Sequence, residues 1–390
     1  MTKASRLLYV LDVAVDNPAA NSVQVLSMCK AFAQQGLEVT LAIPQIGSTH
    51  SDDELRSMVH EKMGSYPEFS ITSFKMRTPF GRMKLLASYF PVKALLKKVR
   101  PDIVFLRNVV LVDAALRTRT PFIYEAHNSL MHDNIPLLNT LWSRYIVRVA
   151  SNPLMRQFVT ISGALGDFWI DKGVPQGKVI ALHDAIDPEK FASPVLSSEA
   201  RESVGLAGAA PLVVYAGSLY EDRGIEDIIF IAGKTPHATF VIVGGPQAGV
   251  EKYRALAEQQ SIDNIKFVGH VEHKQVPKYL FAADVLLMTW SRAVKTINYC
   301  SPLKLFEYMA AGRVIVGHGF PTIKEVLVHG EDALLADPDS REDLLSKVNQ
   351  ALASDGTQLA ARAREKVFKE YTWEKRAEQI IRAAGLQVSV

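Results

Sequence analysis

The sequence predicts an α/β protein built from two doubly wound, parallel-sheet domains that face each other across a cleft. Short apolar runs of strand length, such as "RLLYVLDV" and "PLVVYAGS", alternate with helix-length amphipathic segments along almost the whole chain. Runs this apolar are typical of parallel strands that helices cover on both faces. A chain of 390 residues with this alternation favours two domains rather than one continuous core.

The strand-like runs fall into two groups along the chain. The first group comprises "RLLYVLDV", "EVTLAIP", "FSITSF", "DIVFLRN", "PFIYEAH", "QFVTIS" and "KVIALHD". The second comprises "PLVVYAGS", "TFVIVGG", "IKFVGH", "ADVLLMTW" and "RVIVGHG". Residues 187–211 separate the groups, are rich in Ser, Ala, Pro and Gly, and show no strand pattern, so they are interpreted as a linker. We therefore predict an N-terminal domain over 1–190 and a C-terminal domain over 191–370.

The remaining residues, 371–390, predict a final helix. In "YTWEKRAEQIIRAAG" the apolar residues Trp373, Ala377, Ile380 and Ile381 recur at helical spacing. Such a pattern indicates a helix that packs through one apolar face. Because open α/β sheets bind ligands outside the carboxyl ends of their strands, two such edges that face each other would accommodate two substrates.

The composition excludes several classes of protein. A net charge of +3 is too small to indicate a nucleic-acid partner, and 48% hydrophobic residues are ordinary for a globular chain. Cys29 and Cys300 are too few for a disulfide framework and match no zinc spacing, which favours a reducing compartment. Asp12 and Asp16 interrupt the first apolar run, and no apolar run reaches the roughly 18 residues of a membrane span. These features predict a cytoplasmic protein.

The stretch "YAGSLYEDRGIEDI" carries the first candidate site. A strand runs into Gly217 and Ser218, and a loop then leads to Arg223 and a helix. Gly217 lets a ligand approach the backbone, Ser218 offers a hydroxyl, and Arg223 can bind phosphate through charge-assisted hydrogen bonds. The alternative is an ordinary strand–helix turn in which an exposed Arg223 pairs with Glu221 or Asp222.

The stretch "SPLKLFEYMAAGRVIV" carries the second. Ser301 suits a helix cap and Pro302 the first helical turn, which leaves free amides around Leu303 and Lys304 to bind phosphate. Glu307 lies one turn along on the same side and could accept hydrogen bonds from both hydroxyls of a ribose. The alternative is a surface Lys–Glu pair, but the neighbouring residues in this helix are apolar, which a solvated face would not show.

Two further features each have a functional and a structural interpretation, and the structural one is the more common for such residues. His127 directly follows an apolar strand, where it could contact a leaving group or hydroxyls, or be purely structural. Residues 75–100 hold eight basic and no acidic residues, namely Lys75, Arg77, Arg82, Lys84, Lys93, Lys97, Lys98 and Arg100. This segment could be a solvated face or a surface that rests on anionic lipid.

Taken in chain order, these motifs resemble the family-4 glycosyltransferases. "G-S-L…R-G-I", "VIVGG", "IKFVGHVEHKQVPKYLFAADVLLM", "SPLKLFEYMAAGRVIV" and "GEDALLADP" resemble the C-terminal half of that family, and "YEAHN" and "VTISGALGDFWIDKGVPQGKVIALHDAID" its N-terminal half. The resemblance implies a GT-B fold and metal-independent, retaining transfer from a nucleotide-diphosphate sugar, with no cofactor. It also implies that the last helix crosses back to complete the first domain, which faces a glycan or lipid-linked acceptor.

The resemblance further implies roles for individual residues. Arg223, Lys304 and the backbone around Leu303 would bind the diphosphate, with Ser301 in the same loop, and Glu307 would hold the ribose. His127 would lie near the donor sugar, and the backbone of His270 and Val271 would pack on the base.

Three departures from the family pattern stand out. Tyr299 replaces the first glutamate of the Glu-x7-Glu signature, and Ser218 stands where many members have an arginine. "NPAANS" replaces a glycine pair in the first loop, where Asn21 and Ser22 can take up contacts on the acceptor side. An epimerase of the same fold, or a non-catalytic homologue that supports an active partner, are therefore kept as alternatives.

Overall fold

The chain is described by a computed structural model. The structure describes residues 3–11, 13–15, 20–46, 49–76, 87–129, 136–193, 195–208 and 211–389. By its internal contacts the chain divides into two compact units, Met1–Asp184 with Trp373–Val390, and Ala185–Thr372. Each unit is built around its own sheet.

The first unit contains a seven-stranded sheet in which every pairing is parallel. Its strands are β1 (Arg6–Val10), β2 (Glu38–Ile46), β3 (Ser70–Met76), β4 (Ile103–Leu106), β5 (Phe122–Ala126), β6 (Met155–Thr160) and β7 (Val179–Ala181). The order across the sheet is β3-β2-β1-β4-β5-β6-β7. The described helices before residue 184 are α1 (Ala20–Gln34), α2 (Asp52–Met63), α3 (Tyr89–Val99), α4 (Val109–Thr118), α5 (Pro136–Ala150) and α6 (Gly163–Asp171).

The second unit repeats this winding with six parallel strands. They are β8 (Leu212–Ala216), β9 (Thr239–Val243), β10 (Ile265–Gly269), β11 (Val285–Met288), β12 (Val314–His318) and β13 (Leu334–Ala336), in the order β10-β9-β8-β11-β12-β13. Its described helices are α7 (Ser197–Ser203), α8 (Ile225–Lys234), α9 (Gln247–Gln259), α10 (Val276–Ala282), α11 (Leu303–Ala311), α12 (Pro321–Lys324), α13 (Arg341–Ala353) and α14 (Thr357–Glu370). The last helix, α15 (Trp373–Ala384), belongs to the first unit.

The predicted fold class of two doubly wound parallel sheets is confirmed. Strand β8 shows why its sequence is uniformly apolar: Leu212, Val214 and Ala216 enter one core cluster, and Val213 and Tyr215 enter another on the opposite face. A strand covered on both faces needs apolar residues at every position. The facing arrangement of the two sheets stays a prediction.

The strand order fixes where a ligand can bind in each unit. The winding reverses between β1 and β4 in the first sheet, and between β8 and β11 in the second. Ligands of open α/β sheets bind at such switch points, outside the carboxyl ends of the strands. The loops after β8 and β11, and those after β1, β4 and β5, are therefore the places to look for functional side chains.

Helix α15 packs on the first unit through the predicted apolar face, since Trp373, Ala377 and Ile380 are buried. Arg376 is buried among them, with its side chain 3% exposed. It donates a hydrogen bond of 2.8 Å to the fully buried Glu125 and one of 3.0 Å to the carbonyl of His183. An arginine on the apolar face was not predicted from the sequence. It ties the last helix to β5 through a buried ion pair.

Replacing Arg376 with methionine is expected to destabilise the protein strongly. The substitution leaves the Glu125 carboxylate buried without its main counter-charge, and breaking such a pair typically costs about 3–5 kcal/mol. Urea unfolding followed by circular dichroism measures the loss. The control is Arg382→Met on the same helix, because Arg382 is exposed and pairs only with Glu378 one turn away. Adding Glu125→Gln to Arg376→Met should recover part of the loss, whereas equal stability of the Arg376→Met and Arg382→Met proteins would contradict a structural role for this pair.

Candidate functional site

Close backbone contacts define the carboxyl edge of the second sheet. The amide of Gly217 donates to the carbonyl of Val243 at 2.9 Å, and that of Gly244 to the carbonyl of Gly269 at 2.8 Å. Gly244 has φ +136°, and a Cβ there would lie 1.8 Å from the Gly217 oxygen. Only glycine fits this position. The loops after β8, β9 and β10 are therefore held against one another by backbone alone.

Arg223 lies in the loop after β8 and is held by its neighbours. Its Nε donates to the hydroxyl of Ser218 at 3.1 Å and lies 3.4 Å from a carboxylate oxygen of Asp222. The hydroxyl of Thr289, which follows β11, donates to the Arg223 carbonyl at 2.8 Å. The alternative pairing of Arg223 with Asp222 is thus present, but Ser218 also holds the guanidinium. The side chain of Arg223 remains a quarter exposed.

Helix α11 begins at Leu303, one residue later than predicted. Pro302 occupies the N-cap in an extended conformation, and no side chain caps the helix, so the expected cap role of Ser301 is wrong. The physical reason is the extended backbone of Pro302, which places it outside the helix and puts Ser301 a further residue away. Within the described part of the chain, the amides of Leu303 and Lys304 donate to no acceptor.

Lys304 lies at this edge with aromatic rings, rather than a carboxylate, beside its ammonium. Its Nζ lies 4.3 Å from the ring centre of Tyr215 and 5.4 Å from that of Trp290. Among the described residues, no carboxylate and no hydrogen-bond acceptor contacts it. Burial, followed by the positive charge of Arg223, lowers the pKa of Lys304 to about 7. A partly buried cation beside free helix amides and aromatic rings can bind an anion.

Glu307 lies one turn further along α11 and is bound by a residue that sequence reasoning missed. His273 contacts it through Nε2 at 2.7 Å from Oε1. Burial alone would raise the pKa of Glu307, but the hydrogen bond and charge of His273, with the charge of Lys190, lower it. Glu307 and Lys304 do not pair with each other, so the alternative of a surface Lys–Glu pair is not what the helix shows.

The other predicted donor-side residues lie around this edge. His270 is exposed directly after β10, and its Cβ lies 3.6 Å from where a Cβ on Gly245 would be. Val271 is partly buried and packs on the apolar core. Tyr299 lies in the turns between β11 and α11, where its amide donates to the carbonyl of Thr296 at 2.9 Å. Their roles toward a donor stay predictions.

At the carboxyl edge of the first sheet, His127 is engaged through both ring nitrogens. Arg107, which follows β4, donates to Nδ1 at 3.1 Å, and Nε2 contacts the carboxylate of Glu125. Because an arginine can only donate, Nδ1 is the acceptor and Nε2 carries the proton. Burial, followed by the charge of Arg107, lowers the pKa of His127. A ligand contact from either nitrogen therefore requires Arg107 or Glu125 to release the ring.

The acceptor-side residues are only partly described. The side chain of Asn21 lies outside the described residues. Ser22 is fully buried and its hydroxyl accepts a hydrogen bond of 2.8 Å from Lys62, which also donates to the carbonyl of Val15 at 2.9 Å. Lys62 was not singled out from the sequence, because its helix α2 gives no sign that one lysine reaches back to α1. Ser22 is thus a buried anchor for Lys62.

The basic segment 75–100 is also partly described. Arg77, Arg82 and Lys84 lie outside the described residues. In α3, Phe90 is 76% exposed, and Lys97 and Lys98 are exposed as well. Among the described residues, no helix has the length and apolar character needed to cross a membrane.

Comparison with known proteins identifies the class. A family model described as Glycosyl transferases group 1 matches residues 197–384, and one described as Glycosyltransferase Family 4 matches residues 22–190. Together the two matches include every described strand except β1. The chain therefore belongs to the family-4 glycosyltransferases of the GT-B fold, which confirms the resemblance stated from the motifs.

Individual relatives are distant. The lipopolysaccharide 1,2-N-acetylglucosaminetransferase of Salmonella typhimurium is 25% identical over 192 residues, which are 46% of this chain and 49% of that one. The alpha-galactosylglucosyldiacylglycerol synthase of Streptococcus pneumoniae is 24% identical over 229 residues, 56% of this chain and 58% of that one. The chain thus spans about half the length of the curated relatives it matches.

Solved structures match over the whole chain and show the fold. Anabaena HepE in complex with UDP and glucose has a TM-score of 0.73 at 19% identity, covering 98% of this chain and 99% of that one. Sucrose-phosphate synthase from Thermosynechococcus elongatus has a TM-score of 0.77 at 16% identity, covering 97% and 98%. Both similarities extend over the two sheets.

Proposed function

We propose that this protein is a metal-independent, retaining glycosyltransferase that moves a sugar from a nucleotide-diphosphate sugar to a hydroxyl of a glycan or lipid-linked acceptor. The observation that carries the proposal is the ammonium of Lys304. It lies beside Arg223 and the free amides of α11, and no carboxylate contacts it among the described residues. An anionic ligand there would supply the missing charge.

The chemistry needs such a place because the departing nucleoside diphosphate gains negative charge in the transition state. Donors that already point at that charge are usually the largest contribution to catalysis. Arg223, protonated Lys304 and the amides of Leu303 and Lys304 supply two positive charges and a helix N-terminus. Ser218 supports the proposal indirectly, since it holds the Arg223 guanidinium in place.

The nucleoside would bind further along α11. Glu307 has a lowered pKa and is therefore ionised, so it can accept hydrogen bonds from ribose hydroxyls. The Anabaena relative of known structure was solved with UDP and glucose, which makes UDP-glucose the first donor to test. The roles of His270 and Val271 at the base, and of Tyr299 at the sugar, belong to the same proposal.

Retention follows if the leaving phosphate deprotonates the incoming hydroxyl on the same face of the sugar. This route needs no paired carboxylates of the kind a hydrolase uses. The only glutamate of the family signature in this chain is Glu307, because Tyr299 replaces the other one. In the first unit, the proposal assigns His127 to the donor sugar and Asn21 and Ser22 to the acceptor side.

The acceptor side has a surface suited to lipid. On α3, Phe90, Lys97 and Lys98 are exposed at spacings of seven and eight residues, which places them on one side of a helix. An aromatic ring and lysines on one side suit the surface of an anionic bilayer, where each basic residue contributes about 1 kcal/mol. The two curated relatives described above are named for lipopolysaccharide and diacylglycerol products. We therefore favour a lipid-linked acceptor.

Calorimetric titration of nucleoside, nucleoside monophosphate and nucleoside diphosphate tests the donor site. Glu307→Gln should weaken all three by about ten- to a hundred-fold, because hydrogen bonds to a charged group are worth roughly 1.5–3 kcal/mol. Lys304→Met should weaken only the ligands that carry phosphate. The matched control is Lys234→Met, at an exposed lysine in the last turn of α8. If both site variants bind like the parent, neither residue holds the donor.

The same titration is repeated as a function of pH. Since the pKa of Lys304 is lowered to about 7, its ammonium is complete below that pH and is lost above it in the free protein. Affinity of the parent for the diphosphate should therefore fall between about pH 7 and pH 9, because binding then has to restore the proton. Lys304→Met should lack this part of the decline. An identical decline in both proteins would exclude Lys304 as its source.

Retention is tested on the product. With a donor that supports turnover, proton NMR of the first product should show the same anomeric configuration as the donor sugar. The spectrum must be taken early, before a reducing-end product can equilibrate. An inverted product would exclude the same-face mechanism while leaving glycosyl transfer intact.

Vesicle sedimentation tests the lipid surface. The protein should sediment with vesicles that contain phosphatidylglycerol and not with neutral vesicles, and added salt should release it. Lys97→Gln/Lys98→Gln should reduce sedimentation, whereas the charge-matched control Lys234→Gln/Lys369→Gln should not. Equal binding to both kinds of vesicle, insensitive to salt, would contradict an electrostatic contact.

A further inference from the structure

We infer that His273 positions the Glu307 carboxylate for the ribose of the donor. The inference rests on the proposed function, in which Glu307 holds the ribose. His273 is a positioning residue in this scheme, since it acts through Glu307. Nothing in the sequence pattern pairs these two residues, which lie 34 positions apart.

The geometry gives the two oxygens of Glu307 different tasks. His273 Nε2 lies 2.7 Å from Oε1, whereas no described residue donates to Oε2. The Glu307 side chain is 16% exposed, so one oxygen is held by protein and the other is left for a ligand. A carboxylate gripped at one oxygen has lost most of its rotational freedom before the ligand arrives. Such pre-organisation increases affinity because less freedom is lost on binding.

The residue that holds Glu307 belongs to a different segment at this edge of the sheet. His273 begins a short 3-10 helix, His273–Gln275, which follows the loop after β10. Its side chain is 41% exposed, so solvent protons reach it. The contact therefore connects the loop after β10 to the first turns of α11. Both flank the place where the nucleoside is proposed to lie.

The charges around His273 leave Glu307 as its principal partner. Glu272 and Lys274, on either side of it in the chain, pair with each other at 2.8 Å. Lys190, from the 3-10 helix Pro188–Phe191, acts on Glu307 through its charge. In the adjoining helix α10, Lys278 is exposed and Tyr279 packs on the apolar core, and His270 is exposed three residues upstream.

Two substitutions test the positioning role. His273→Ala removes the hydrogen bond to Glu307 Oε1 and should lower affinity for the nucleoside diphosphate about tenfold, by the scale of a lost hydrogen bond to a charged group. His273→Gln retains an N–H donor at this place, so it should keep most of the affinity.

The measurement is calorimetric titration with UDP, GDP and ADP, each beside its 2′-deoxy form. The loss in His273→Ala should be larger for the ribose form than for the 2′-deoxy form, which is the sign of coupling between the histidine and that hydroxyl. Lys274→Ala, in the same short helix, is the control and should bind like the parent. Melting temperatures confirm that the variants are folded.

The outcomes are distinct. If the parent binds a diphosphate and Glu307→Gln weakens it, but His273→Ala binds both sugar forms like the parent, the inference is wrong and the proposed function stands. If His273→Ala weakens the ribose and 2′-deoxy forms by the same factor, His273 does not act through the ribose contact and the inference is also wrong. If the parent binds none of the three diphosphates, the proposed function and the inference fall together.

Discussion

Parallel pairing throughout each sheet is the constraint on which the rest of this protein depends. When all strands run the same way, the helices that follow them begin at one edge, and their positive ends collect there. Both sheets have the same order of winding, so each has one edge of this kind with a switch point in it. The functional candidates of the chain lie at these two edges. What differs between them is how the collected positive charge is balanced.

In the first unit the balance is internal. Glu125 is buried within β5, and Arg376, His127 and Arg107 surround it. Burial alone would raise the pKa of Glu125, but these charges hold it well below its usual range. The carboxylate therefore stays ionised and holds His127 in one tautomer, while burial and the charge of Arg107 lower the pKa of that histidine. The ion pair between Glu125 and Arg376 also attaches the last helix to the first unit. The charge balance at this edge and the stability of the unit therefore depend on the same contact.

In the second unit the positive charges are only partly balanced by carboxylates. Arg223 has a partial partner in Asp222, at 3.4 Å, whereas no carboxylate contacts Lys304 among the described residues. The lowered pKa of Lys304 is the sign of that imbalance, since a partly buried amine without a counter-charge loses its proton more readily. This difference, more than any single motif, supports the proposal that the diphosphate binds to the second unit.

The sequence predicted what depends on local pattern and missed what depends on contacts between distant segments. The strands were predictable because a strand covered on both faces must be apolar at each position, as in Leu212–Ala216. The placement of Lys304 and Glu307 on one helix was predictable from their spacing. The first residue of that helix was not, because Ser301 and Pro302 suit two neighbouring positions almost equally well.

The missed residues share a cause. Arg376 was missed because helical periodicity counts apolar residues, so a buried arginine between them is assigned to the solvated side. His273 and Lys62 were missed because their partners, Glu307 and Ser22, are 34 and 40 positions away. Each contact is created by the order of strands in the sheet, and that order is not visible in any short stretch of sequence.

The departure at Ser218 can be understood in the same electrostatic terms. The family resemblance leads one to expect an arginine there, which would bring a second guanidinium beside Arg223. In this chain the serine hydroxyl instead accepts a hydrogen bond from Arg223 Nε at 3.1 Å, so the one guanidinium present is fixed in place. Burial, followed by the charge of Arg223, already lowers the pKa of Lys304 to about 7, and another fixed cation at this edge would lower it further. With serine at this position, Lys304 can still carry a proton when a diphosphate arrives, and the site retains two charges of which one is adjustable.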